Sequence, residues 1–193
     1  MAQNTKVKAR HRLFEAYPFD GKTILLILLL LFVVGAVSGW LYEMGFYRID
    51  QGQFIKRGHG IGPWLPIYGF GSLFILVTTA RLKKHPLAVF AVAGLVSGVL
   101  EFATGWALYH FWDGLRLWDY NTEIWNWGNI GGYVCIRSVL FFAFAGLLLV
   151  YGVFPLLCHL AEKLPKPAMI AVSVIPFGLF VADIITGYCL KPL

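Results

Sequence analysis

Four ionisable residues lie inside or beside long apolar stretches of this sequence: Glu43, Glu101, Arg137 and Asp183. A charged side chain in the middle of a bilayer costs about 2.5–3.5 kcal/mol on insertion scales, so such residues usually pair or face a polar cavity. One cation cannot neutralise three acids. At least one carboxyl group is therefore expected to be protonated, hydrated or bound to another molecule, because removal from water disfavours its charged form.

Two interpretations of these charges stay open. In the structural one, Arg137 pairs with Glu101 or Asp183, and the pair holds neighbouring helices together. In the functional one, the acids line a polar cavity that opens to the outer side of the membrane and binds a ligand. A buried carboxyl group also has the chemistry of a general acid or base, which would make the protein an intramembrane enzyme acting on lipid.

Long apolar segments must position these charges. The chain has 193 residues, of which 59% are hydrophobic and 13% are charged, whereas soluble domains carry about 25% charged residues. Several runs reach about 20 apolar residues, the length needed to cross about 30 Å of hydrocarbon. We therefore predict an all-α, polytopic helical membrane protein with about five transmembrane helices.

Polar, Gly-containing and Pro-containing stretches separate the predicted spans, which cover about 23–46, 67–80, 86–112, 134–157 and 168–190. Residues 1–22 are predicted to form a basic cytoplasmic tail, and 23–193 a single transmembrane domain with two loops at 48–66 and 113–133. Lys and Arg concentrate in the tail and in the short connections. The positive-inside rule therefore favours a cytoplasmic N-terminus and places both long loops outside.

An internal repeat is one interpretation of the first four spans. GAVSGWLYE at 35–43 resembles GLVSGVLEF at 94–102, and GIGPWLPIYGFGSLF at 60–74 resembles NIGGYVCIRSVLF at 129–141. Both copies would have the same orientation, which makes a parallel two-helix duplication, and transporters often place their sites at such repeat interfaces. Enrichment in Gly and Ser would produce the same match without a duplication.

Aromatic and polar residues alternate densely in the second loop. Interfacial belts of Trp and Tyr are ordinary in membrane proteins, but Asp, Asn and Trp interleaved in this way also suit a polar headgroup or a sugar. The first loop is expected to close over the same site. We therefore predict a substrate-binding site composed of Glu101, Asp183, Arg137, Glu43, Tyr68, Trp118, Asp119 and Asn129.

Several other kinds of site are not predicted. His59 has no second ligand nearby in the sequence, and the cysteines lack metal-binding spacing, so we expect no metal. No nucleotide-binding loop, nucleophile elbow or HExxH motif is present, and we expect no cofactor. The basic residues flank apolar segments, so the net charge of +6 does not indicate nucleic acid. Cys135 and Cys189 fall near one membrane face, which leaves a disulfide open.

Four motifs in a fixed order resemble one family. They are GxGPWLPIYGFG at 60–71, the helix of Glu101, WDY at 118–120 and NIGGYVCIRS at 129–138. Together they are similar to the bacterial membrane proteins described as putative ABC-transporter type IV, or CmpB-like permeases, over about 35–155. The resemblance implies a permease-like subunit in the bacterial inner membrane, surrounded by lipid, with any ATPase supplied as a separate chain.

One position departs from the family pattern. That pattern resembles N-x-x-G-R-I-C, whose arginine position is Tyr133 here, so Arg137 one helical turn later either replaces it or acts differently. The leading hypothesis is a permease-like protein that binds or moves a small polar or amphipathic, lipid-like solute through an outward-facing polar cavity. The alternatives are an intramembrane lipid-modifying enzyme and a structural or assembly subunit, with a homo-oligomer left open.

Overall fold

Helices form nearly all regular structure in the computed structural model, which describes residues 19–58 and 60–190. They are α1 (Gly21–Asp50), α2 (Pro66–Thr79), α3 (Pro86–Phe111), α4 (Ile136–Leu148), α5 (Phe154–Lys163) and α6 (Lys166–Leu190). The described residues contain no strand, and an isolated bridge pairs Ile130 with Val134. The predicted all-α class is confirmed. Most of the predicted tail, and His59, lie outside the described residues.

Four helical segments in the described part of the chain are long and apolar enough to cross a membrane. They are Gly21–Asp50, Pro86–Phe111, Ile136–Lys163 and Lys166–Gly187. The second predicted span forms a shorter apolar helix, Pro66–Leu82, which is about 25 Å long at 1.5 Å per residue. Of the about five membrane helices expected, four are long enough to cross a membrane, and the second is a shorter apolar helix.

Local sequence explains where the helices begin and end. Asp20 caps α1, because its carboxylate accepts a hydrogen bond from the Thr23 amide at 2.9 Å, which satisfies a donor that the helix leaves free. Pro66 and Pro86 start α2 and α3, as expected for a residue with a fixed φ and no N–H. Gly52, with φ at 73°, turns the chain away from α1.

A wide turn joins α4 to α5. Residues Leu149–Val153 form a π-helical turn inside an otherwise continuous helix. Pro155 lies in the first turn of α5, where it offers no N–H and would crowd the carbonyl of Tyr151 in a regular helix. A π turn accommodates this crowding, and such turns occur frequently at functional sites.

The bundle is built from two helix pairs with α6 on one side. α1 packs against α2, α3 packs against α4, and α2 contacts α3, while α6 packs against α1. Leu31, Ile75 and Val89 are buried in the core where the two pairs meet. Phe32 and Phe180 meet edge to face, with ring centroids 4.9 Å apart, and join α1 to α6.

The two ends of the bundle differ in character. The first loop (51–65) and the second loop (112–135) lie together at one end, here called the loop end, where Arg57 Nη2 donates to the Leu117 carbonyl at 2.8 Å. Short connections lie at the opposite end, called the basic end because it carries Lys22, Arg81, Lys83, Lys84, Lys163 and Lys166. The two long loops therefore contact each other at the loop end, at the opposite end of the bundle from the basic residues.

Candidate functional site

A cavity of about 260 Å³ lies between the α1–α2 pair and the α3–α4 pair. Near the loop end its lining includes four charged residues: Glu43, Glu101, Glu123 and Arg137. Toward the basic end the lining becomes apolar and includes Leu31, Ile75 and Leu149. The cavity therefore has one charged end and one hydrocarbon end.

Glu43 lies near the end of α1 and is tied to the first loop. Its Oε2 atom accepts from Arg57 Nε at 2.5 Å, and the two side chains are 15% and 18% exposed. Its Oε1 atom accepts from the Tyr68 hydroxyl at 2.9 Å. Burial alone would lower the pKa of Arg57, but the neighbouring Glu43 carboxylate raises that pKa overall, so the Arg57 guanidinium stays charged.

Glu123 of the second loop and Arg137 of α4 form a second ion pair, with Oε2 2.6 Å from Nη2. The Tyr47 hydroxyl donates to Glu123 Oε1 at 2.6 Å. Arg137 Nη1 donates to the Ile124 carbonyl at 2.9 Å, and its guanidinium lies 4.2 Å from the centroid of the Phe46 ring. The Glu123 carboxylate and the Arg137 guanidinium therefore each have an opposite charge and at least one further polar or aromatic partner.

This arrangement corrects the structural interpretation of Arg137. The predicted partner is Glu101 or Asp183, whereas the observed partner is Glu123. The physical reason is that the second loop folds back over the start of α4 and brings its own acid against the guanidinium. The Nε atom of Arg137 is buried and has no hydrogen-bond partner among the described residues.

Glu101 is the acid of this cavity that lacks a cation. It is 7% exposed, and its oxygens accept from the Tyr120 hydroxyl at 2.5 Å and from Ser138 Oγ at 2.7 Å. Within the described residues no basic side chain forms an ion pair with it. Burial raises the pKa of the Tyr120 hydroxyl well above its ordinary value, and the adjacent Glu101 carboxylate adds to the shift. Tyr120 therefore remains a protonated donor.

Small residues on α3 bring α4 and the second loop close to Glu101. Gly94, Ser97, Glu101 and Gly105 are buried on one face of α3, as expected for spacings of three and four residues. A Cβ atom on Gly105 would lie 3.1 Å from the Tyr133 ring and 3.2 Å from the Trp118 ring. The glycine at this position therefore allows the aromatic rings of the second loop to pack closely against α3, one turn beyond Glu101.

Asp183 is not part of this cavity. Its carboxylate accepts from the Ile61 amide at 2.7 Å, the Gly62 amide at 3.0 Å and Trp64 Nε1 at 2.7 Å. The expectation that Asp183 joins Glu101 is therefore corrected. α6 packs against α1 rather than beside α3, so its acid meets the first loop and anchors it.

Asp119 and Asn129 also lie away from the cavity lining and shape the second loop. Asp119 Oδ1 accepts from the amide and the side chain of Asn121 at 3.0 and 2.7 Å. Asn129 donates to Asn121 Oδ1 at 2.8 Å and accepts from the Gly132 amide at 2.8 Å. These bonds hold a turn in which Gly132 has φ at 80°.

Part of the cavity lining is predicted correctly from the sequence. The predicted residues that line it are Glu43, Glu101, Arg137, Tyr68 and Trp118. The residues that the sequence analysis does not predict are the hydrogen-bond and ion-pair partners of the charged groups: Tyr47, Arg57, Tyr120, Glu123 and Ser138. A partial signal existed, because an arginine at a helix start favours a nearby acid, and the second loop carries three: Asp113, Asp119 and Glu123.

The described residues offer no cluster of metal ligands, and the thiol of Cys135 is buried. Within the described residues no group of three or more His, Cys, Asp or Glu side chains is arranged to hold a metal ion. Cys135 is a buried free thiol. The side chain of Cys189 lies outside the described part of the chain, so the disulfide that the sequence leaves open is not tested.

The long apolar helices and the cavity with one charged end define a multi-pass helical membrane protein. The chain belongs to the family described as putative ABC-transporter type IV, whose model matches residues 30–188. The resemblance seen in the sequence motifs is thereby confirmed and extended to α6. No curated protein and no solved structure matches the chain.

Proposed function

We propose that this protein binds a small amphipathic, lipid-like solute and moves it within or across the membrane. The observation that carries the proposal is the cavity between the helix pairs, with charges at the loop end and hydrocarbon toward the basic end. Ligand sites are mostly apolar with a few placed polar groups that fix orientation. An amphipathic ligand with its polar head near Glu101 and Arg137, and its apolar chain between α1 and α4, matches this change from charged to apolar lining.

Family membership supports movement of the solute in addition to binding, because the family is described as transporter-type. In this proposal residues from 23 onward form one transmembrane domain in a bacterial inner membrane, with the loop end outside. The sequence carries no nucleotide-binding loop. An energy-coupled form of the proposal therefore uses a separate ATPase chain, in an assembly that includes one or more copies of this subunit.

A second candidate function rests on the contacts of Glu101. A buried carboxyl group that is hydrogen-bonded to the Tyr120 and Ser138 hydroxyls resembles a proton-transfer site. In that case the protein would be an intramembrane enzyme that modifies lipid. Incubation with a labelled lipid extract separates the two candidates, because only an enzyme releases a chemically changed product.

The first test is native mass spectrometry of the protein purified in a mild, uncharged detergent. The wild type is expected to retain an amphipathic molecule at one copy per chain. Glu101→Gln is nearly isosteric and should fold but retain at least about tenfold less ligand, since a lost charged hydrogen bond is worth about 1.5–3 kcal/mol and tenfold is about 1.4 kcal/mol.

Glu162→Gln is the matched control, because Glu162 is an acid at the basic end with a 44% exposed side chain. It should retain as much ligand as the wild type. An empty wild-type protein that also fails to take up added lipid extract contradicts the proposal. Unchanged retention in Glu101→Gln would instead remove Glu101 from the site.

A further inference from the structure

The charged end of the cavity has three acids, Glu43, Glu101 and Glu123, and two bases when Arg57 is counted with Arg137, since Arg57 pairs with Glu43 without lining the cavity itself. Glu43 is paired with Arg57 at 2.5 Å, and Glu123 with Arg137 at 2.6 Å. Among the described residues, the hydrogen-bond partners of Glu101 are the neutral hydroxyls of Tyr120 and Ser138. An ionised Glu101 would therefore leave a single negative charge in the cavity wall.

This imbalance argues against an anionic head. Both arginines near the cavity already hold a carboxylate, so their positive charges are compensated and do not favour a phosphate or a sulfate, although Arg137 Nε keeps one unused N–H donor. An anion would instead meet the excess negative charge, and like charges at close range are costly in a medium of low polarity. The complementary head carries one positive charge.

Aromatic rings supply an independent reason. The aromatic residues that line the same cavity as Glu101 include Tyr42, Tyr68, Trp118, Phe141 and Phe142. The faces of such rings attract cations, and quaternary ammonium ligands are recognised in this way. Two rings of the same wall already do so, because Arg137 lies 4.2 Å from the Phe46 centroid and Arg57 lies 4.3 Å from that of Tyr47.

The size of the cavity limits the apolar part of the ligand. Its volume of about 260 Å³ lies just below the range of about 300–1,000 Å³ that ordinary ligand pockets span. Leu31, Ile75 and Leu149 form the hydrocarbon end, which suits one chain better than two.

We propose that the cavity selects a single-chain amphiphile with an ammonium head and that Glu101 is the counter-ion of that head. This inference rests on the proposed function and names the ligand class for the same cavity. The ammonium group would lie between the Glu101 carboxylate and the aromatic wall, with its chain directed along α1 toward the π turn before α5.

The experiment compares three amphiphiles with the same decyl chain: decyltrimethylammonium, decanol and decyl sulfate. Each is added to the purified protein in uncharged maltoside micelles, and occupancy is measured by native mass spectrometry. Decyltrimethylammonium should bind at least about tenfold tighter than the other two, which corresponds to about 1.4 kcal/mol. In Glu101→Gln this preference should fall to near parity, while Glu162→Gln should keep it.

The outcomes separate the two proposals. Equal binding of the three amphiphiles, or tighter binding of decyl sulfate, overturns the ammonium assignment and leaves the proposed function standing. Failure of all three to bind the wild type counts against the proposed function itself. The comparison on the wild type needs no variant, so it stays decisive if Glu101→Gln does not fold. An unchanged preference in a folded Glu101→Gln overturns the counter-ion role.

Discussion

Buried charge at the loop end is tolerated because each paired group has several partners. Arg137 contacts the Glu123 carboxylate, the Ile124 carbonyl and the Phe46 ring, while Tyr47 donates to the other oxygen of Glu123. Burying an ion pair costs several kcal/mol per ion in desolvation, which only such additional bonds offset. The pair is therefore an anchor for the second loop more than a source of net stability.

The Arg137–Glu123 pair yields a prediction about stability. Arg137→Gln leaves Glu123, which is 7% exposed, buried with the Tyr47 hydroxyl as its remaining donor. We expect a loss of about 3–5 kcal/mol, the range found when one partner of a buried pair is removed. The double variant Arg137→Gln, Glu123→Gln should regain most of it. Unfolding in detergent micelles measures the difference, and a double variant no more stable than the single one contradicts this account.

At the scale of the helices, glycines decide how closely the paired elements approach. A Cβ atom on Gly39 of α1 would overlap the ring of Tyr68 on α2. Small residues permit such close approach between membrane helices. The hydrogen bond from Tyr68 to Glu43 therefore depends on the absence of a side chain at position 39.

Gly39→Ala should destabilise the protein by about 1–3 kcal/mol, because an added methyl group overpacks the contact. The same change should weaken ligand retention, since Tyr68 must move away from Glu43. Gly45→Ala is the matched control on α1, where an added Cβ meets nothing within 4 Å. It should be neutral or slightly stabilising. Thermal unfolding and native mass spectrometry of both variants test this, and equal effects would refute the role of the close contact.

The helix pairs also resemble each other in their contacts. On α1, Glu43 accepts from Tyr68 near the start of α2 and from Arg57 of the first loop. On α3, Glu101 accepts from Ser138 near the start of α4 and from Tyr120 of the second loop. This parallel supports the two-helix repeat as a proposal.

For the whole molecule, the distribution of charge suggests its orientation in the membrane. In the described part of the chain, the basic end carries six Lys and Arg side chains without an ion pair. The loop end carries five, Arg48, Lys56, Arg57, Arg116 and Arg137, of which the last three pair with acids. Unpaired basic residues in short connections favour the cytoplasmic side. The loop end and the mouth of the cavity would then face outward.

Cysteine labelling tests this orientation. Gln53→Cys at the loop end and Lys84→Cys at the basic end introduce thiols at exposed positions, whereas Cys135 and Cys158 are buried. A membrane-impermeant maleimide should label Gln53→Cys in intact cells and Lys84→Cys only after permeabilisation. The unmodified chain controls for native thiols, and the reverse labelling pattern would invert the proposed topology.

The membrane helices can be predicted from the sequence, because a membrane span depends on local composition and length, which any run of apolar residues displays. The sequence also places Glu101 inside a predicted span, where an ionisable residue usually pairs or faces a polar cavity. The π turn at Leu149–Val153 was beyond this reasoning, because the hydrogen-bond pattern around a proline depends on the packing of neighbouring helices.

The pairing of the charged side chains becomes visible in the folded structure and not before. The Tyr47 hydroxyl reaches Glu123 across 76 positions of sequence, and Asp183 reaches Ile61 across 122. Such pairings depend on how two loops fold and on which helix lies beside α6, and no local pattern encodes either. The hydrophobicity of a segment depends on consecutive residues, so membrane helices can be predicted from the sequence. The partner of a charged side chain depends on which residues packing brings close, so it cannot be predicted in the same way.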